Sequence, residues 1–173
     1  MRFSIKQNPF LKFLLLAGVT YLTLYLIHSF VIKKYTTYDQ SFIALIIKFS
    51  ESTLKLMGYK TFTVLQNIDV QVVGIDGSSG VWVGSNCNAI SLFILFAVFI
   101  IAYPGKIKHK IWFIPFGILL VHLINILRVV ALAILAYKHP QWLQFNHTYT
   151  FTFMVYVFIF ALWLWWANKL SKL

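Results

Sequence analysis

Read by hydropathy, the chain alternates long apolar stretches with shorter polar ones. Phe10 to Ile32, "FLKFLLLAGVTYLTLYLIHSFVI", is long enough to cross a bilayer as a helix, which takes about 20 residues. It is too long for the apolar core of a secretory signal and has no small-residue cleavage site, so it is expected to stay in the mature protein. Asn88 to Tyr103 lies at the lower limit for a span. Ile111 to Tyr137 has 27 residues, about 40 Å of helix, and must tilt in or protrude from a hydrocarbon core of about 30 Å. Thr148 to Ala167 makes a fourth span, with Trp163, Trp165 and Trp166 at one end as interfacial anchors. The pattern predicts an all-α polytopic membrane protein with about four transmembrane helices, near 10–32, 88–103, 111–137 and 148–167. All of residues 1–173 read as one membrane-embedded domain.

The segment between the first two spans, residues 33–87, has a pattern of its own. From Phe42 to Met57, the residues Ile43, Ile46, Ile47, Leu54 and Met57 fall on one helical face and Lys48, Glu51 and Lys55 on the other. Glu51 and Lys55 stand in the favourable i,i+4 order. This predicts an amphipathic helix lying on the outer leaflet, with a tilted fifth span as the other reading. "TFTVLQ", "IDVQVV" and "VWVG" follow as short β-rich runs, and "GIDGSSG" between the last two is a turn signal. They predict a small β-hairpin or three-stranded sheet that leads the chain to Cys87.

Composition agrees with the bilayer reading. The chain is 60% hydrophobic and 11% charged, against about 25% charged residues in a typical soluble domain. The net charge of +11 is scattered between the spans rather than gathered on a face, which argues against a nucleic-acid partner and for a topological role. Four spans put both termini on one side. With Lys12, that side collects eight basic residues and no acid, whereas the other side holds all four acids, Asp39, Glu51, Asp69 and Asp76. Basic short loops face the cytoplasm. The expectation is a multi-pass protein of the cytoplasmic (inner) membrane with cytoplasmic termini, and with Cys87 and His147 outside.

Ionisable residues inside spans are costly, and so are candidates for function. Arg128, in "LLVHLINILRVV", lies in the outer half of the third span and shares an arc of about 120° with His122 and Asn125. Taken alone, it reads as an arginine snorkelling to headgroups. His147 stands at the outer start of the fourth span, and Cys87, the only cysteine, at the outer start of the second. A thiol, a guanidinium and an imidazole from three helices thus share one membrane depth. A nearby cation and a helix N-terminus favour thiolate, and an imidazole moves the proton. This is the equipment of cysteine acyl transfer: Cys87 attacks a peptide carbonyl, His147 protonates the leaving amine, and Arg128 stabilises the thiolate or the developing oxyanion. Asn86, Asn125 and Asn146, beside these three, are supporting candidates. His28 and His122 have weaker claims because the sequence suggests no partner for them. His109 falls in the opposite loop, and His139 precedes Pro140 in a loop. No metal is expected, since further ligands at familiar spacings are lacking, and no cofactor is implied.

"SNCNAISLF", "HLINILRVVAL" and "FNHTYTF" together resemble the exosortase/archaeosortase family of membrane-embedded sorting transpeptidases, with Cys87, Arg128 and His147 on the family's Cys, Arg and His positions. The small size resembles the short exosortase variants of Bacteroidetes-type bacteria. The family often has Ser-Gly or Asn-Gly after the cysteine, where this chain has Asn88 and Ala89. Larger members have more spans, so helices missing here would come from a second copy of the chain or from a helper membrane protein. The resemblance implies as substrates secreted proteins with a C-terminal tripartite signal: a short motif, a hydrophobic helix and a basic tail. The alternative reading is a non-catalytic small membrane subunit for assembly or binding, for which Cys87→Ser would behave as wild type. A transporter fits poorly, because the spans hold no acid for a proton or cation relay and no Gly/Pro-broken pair of helices.

Overall fold

The computed structural model describes residues 9–32, 37–67, 70–85 and 87–171. Helix α1, Pro9–Ile27, ends in a wider π turn over His28–Ile32. Helix α2 is Tyr38–Leu56. Strands β1 (Thr61–Asn67), β2 (Val70–Ile75) and β3 (Val81–Gly84) follow. Helix α3 is Ile90–Ala102 and α4 is Ile107–Lys138. Short helical turns from Pro140 onward lead into α5, Phe151–Trp165.

Among the described residues, three helical stretches are long and apolar enough to cross a membrane: Phe10–Val31, Ile107–Lys138 and Pro140–Leu170. The expected span at 88–103 falls short. Its helix α3 has 13 residues, or about 20 Å. Asn88 and Ala89, which would have lengthened it, form a turn instead, with Ala89 in the left-handed region at φ 63°. The count by length is therefore three rather than four, with α3 a short apolar helix among the long ones.

Ring contacts show how these helices pack. Phe13 near the start of α1 meets Phe99 and Tyr103 near the end of α3. Phe99 stacks on Trp163 of α5 at 4.3 Å. Phe113 near the start of α4 meets Trp166 just after α5. α1 thus runs antiparallel to α3, and α4 antiparallel to α5, while α3 and α5 run parallel, and the start of α1 and the end of α5 share one end of the bundle. Two of the three tryptophans expected to anchor at the interface are taken up by the bundle. Trp166 is fully buried, Trp163 is half-buried, and Trp165 alone is exposed. Trp166 lies under Gly105, the residue that turns the chain from α3 into α4 at φ +150°; a Cβ there would sit 2.8 Å from the indole. Gly117 of α4 lies against the Phe96 ring of α3, which a Cβ would overlap. Small residues let membrane helices approach this closely.

At 32 residues, α4 is about 48 Å long and serves two cores. Its first half packs with α3 and α5 through Phe113 and Val121. Its second half, from Ile126 to Ala136, packs with α2 and the sheet. The sheet is a meander in the order β1-β2-β3, antiparallel throughout, with Val73 opposite Val81 and Gln71 opposite Val83. Alternation along β3 buries Val81 and Val83 and turns Trp82 outward, as period-two geometry requires.

Helix α2 corrects one expectation. Its apolar stripe does not face a leaflet. Ile43, Ile46, Ile47 and Leu54 are buried against α4 and the sheet, each worth roughly 1.5–3 kcal/mol when fully covered. Met57, expected on that stripe, is exposed. Asp39 is buried at the start of the helix and bonds His28 at 3.0 Å, tying α2 to the end of α1. The Glu51–Lys55 pair forms at 2.8 Å.

Candidate active site

The site is built where the two cores of α4 meet. Strand β3 delivers the chain to a tight turn in which the Cys87 N–H donates to the Gly84 carbonyl at 2.8 Å. Two residues later the left-handed Ala89 reverses the path into α3. Asn88 is buried, and its Oδ1 accepts the Ile90 N–H at 3.0 Å. This satisfies one of the donors that every helix start leaves open. Cys87 packs against the α2–sheet core, while Ala89 belongs to the bundle core.

His147 arrives from the other side, in the π turn Asn146–Thr150 that precedes α5. Its Nε2 lies 3.6 Å from Cys87 Sγ, within hydrogen-bond reach for sulfur, although the two residues are 60 apart in sequence. Two donors fix the His147 carbonyl: Thr152 Oγ1 at 3.2 Å and Arg128 Nη2 at 3.4 Å. Asn125, 1% exposed, donates from Nδ2 to the Cys87 carbonyl at 2.8 Å. One turn of α4 therefore grips both partners, Asn125 holding the cysteine loop and Arg128 the histidine loop.

Arg128 lies 21 residues beyond Ile107, about 31 Å along the helix, where the packing of α4 against α2 and the sheet begins. It is half-buried, its Nε has no partner, and among the described residues no carboxylate pairs with it. The Nε is enclosed as well as unpartnered, and the guanidinium bonds through Nη2 to the His147 carbonyl. The thiol and imidazole have the separation across which a proton can pass between a nucleophile and a base. Among the described residues no three His, Cys, Asp or Glu side chains gather as a metal site requires.

Of the residues expected at the site, Cys87, His147, Arg128 and Asn125 come together. Asn146 does not join them: its Nδ2 donates to the Trp142 carbonyl at 3.0 Å, and it lines a crevice beside Lys138 and His139. Asn86 lies outside the described residues. His28 has a partner after all in Asp39. His122 lies edge-on to Phe42 and Phe93, while His109 sits in the first turn of α4. Asn88 and Thr152 join the site from outside the expected set. An Asn just ahead of an apolar helical run is a legible cap signal, whereas nothing in the sequence marks Thr152.

Comparison with curated proteins and with solved structures returns no match. A family model described as transmembrane exosortase matches residues 8–166. The match takes in the Cys87 turn, the Asn125–Arg128 face and His147, and extends over nearly the whole chain. By that match the chain belongs to the transmembrane exosortase family.

Proposed function

We propose that this chain is a membrane-embedded cysteine peptidase or transpeptidase that removes the C-terminal sorting signal of secreted proteins. The observation that carries the reading is the 3.6 Å approach of Cys87 Sγ to His147 Nε2. The bond from Arg128 Nη2 to the His147 carbonyl, which holds the guanidinium beside that loop, supports it. Cys87 Sγ attacks the carbonyl carbon of the scissile peptide, and the thiol proton passes to His147 Nε2. Arg128 donates to the oxyanion of the tetrahedral intermediate. The C–N bond then breaks, and His147 returns the proton to the leaving amine, which departs with the hydrophobic helix and basic tail. An acceptor amine or water, deprotonated by His147, attacks the thioester and frees Sγ. The bundle crosses the inner membrane four times, with cytoplasmic termini and an extracytoplasmic site. The bilayer thins around α3 to match its length.

The test is trapping. Secreted reporters ending in an apolar helix and a lysine tail are co-expressed with wild type or with Cys87→Ala. The expected result is a thioester adduct, cleaved by hydroxylamine, on the wild type only. Normal processing by Cys87→Ala removes the proposal. If Cys87→Ser processes as wild type, the thiol is not the nucleophile.

A further inference from the structure

We propose that the substrate segment just ahead of the scissile bond binds as an extended strand along the outer edge of β3. This rests on the sorting reading above and states how that site recognises its substrate. In the sheet order β1-β2-β3, β3 is an edge strand paired only with β2 among the described residues. An edge presents a row of backbone N–H and C=O groups ready to take another strand. Beside it lies a groove of about 240 Å³, with residues 79–82 on one wall and Leu143, Gln144 and His147 on the other.

The groove leads to the reacting atoms. His147 is part of its lining, and that imidazole lies 3.6 Å from Cys87 Sγ. The strand runs to Gly84, and Cys87 follows three residues later. A chain laid along this edge therefore arrives at the sulfur. The groove is too small for a helix of about 10–12 Å diameter, but a strand spaced about 4.8 Å from its neighbour fits. Among the described residues of its walls, His147 is the only ionisable one. Trp82, 61% exposed, and Leu143 offer apolar contact, and Ser79 and Gln144 offer hydrogen bonds. The occupant is thus a short, uncharged, largely apolar peptide. The signal helix that follows the scissile bond enters the bilayer beside α3, so the segment ahead of the bond lies on the cap side. It runs in the direction of β3, as a parallel fourth strand.

The experiment uses a secreted reporter with a short randomised segment ahead of an apolar helix and a lysine tail. It is co-expressed with wild type, Trp82→Ala, Leu143→Ala, Gln144→Ala and, as an off-groove control, Trp142→Ala. Wild type is expected to select a sequence. The groove variants should shift that selection, with about tenfold loss on the wild-type choice, while the Trp142 variant selects as wild type does. Alkylation of Cys87 at an unchanged rate verifies that each variant is folded at the site. A proline scan of the selected segment, run with wild-type enzyme, should show tolerance alternating with a period of two, because alternate N–H groups face the β3 edge. If the groove variants select the same sequence as wild type, or if proline tolerance does not alternate, the strand inference is overturned while the sorting reading stands. If the wild type cleaves no reporter, the sorting reading fails and the strand inference falls with it.

Discussion

Asn125→Leu isolates how far the site depends on α4. Leucine keeps the branch at Cγ but has no donor, so the substitution removes the 2.8 Å bond to the Cys87 carbonyl without opening a cavity. A carbonyl stripped of its partner costs about 1–3 kcal/mol. On its own stretch of chain the Cys87 turn is held by the Gly84 bond and the Asn88 cap. Asn125 is thus the bond that fixes the turn against the helix that also carries Arg128. If the loss falls on the alignment of Sγ with the substrate carbonyl, processing slows by roughly five- to 150-fold. Two assays measure it: the rate of reporter cleavage in membranes, and alkylation of Cys87, the only thiol in the chain, by a small uncharged reagent. Cleavage is expected to fall within that range while alkylation continues, because the thiol stays accessible. Leu123→Ala, on the exposed face of the same helix, should process at the wild-type rate. If Asn125→Leu cleaves at the wild-type rate, the positioning argument is refuted.

Three further outcomes follow from the geometry. His147→Ala should abolish processing, whereas Thr152→Val, which removes only a donor to the His147 carbonyl, should slow it by about tenfold or less; equal losses would contradict the division between reacting and supporting groups. Arg128→Lys keeps the charge but loses the planar fork, and should lower cleavage by at least about tenfold with membrane insertion unchanged, measured by quantitative blot of the membrane fraction. Gly117→Ala should destabilise the bundle by about 1–3 kcal/mol through overlap with Phe96. Adding Phe96→Leu should recover part of that loss in a thermal-shift assay in detergent, and strict additivity would show that the two residues are not in contact.

Much of the architecture was legible because partition between lipid and water is a local property of each segment. The long apolar runs at Phe10–Val31 and within Ile107–Lys138 declared themselves, as did the alternation in "VWVG" and the one-sided stripe of α2. The length of α3 was not legible, because the two residues that shorten it belong equally well to an apolar run or to a turn. Their fate is set by the left-handed Ala89 and the Asn88 cap. Nor could the stripe of α2 say what would cover it. A lipid surface and the flank of another helix are equally apolar solvents, and only the packing of Ile43, Ile46 and Leu54 on α4 chose between them. The same holds for Trp163 and Trp166, whose rings suit an interface but are enclosed by Phe99 and Phe113.

By itself the sequence determined that the chain lives in a bilayer, and it nominated a cysteine, an arginine and a histidine by their expense there. Tertiary structure decided which of the nominated groups meet. It brought Cys87 and His147 together across 60 residues, recruited Asn125 to hold the cysteine, and turned Asn146 toward Trp142. The physical reason is one of range. Burying apolar surface and exposing charge can be judged residue by residue, but a hydrogen bond between distant segments exists only when packed helices hold both ends within about 3 Å.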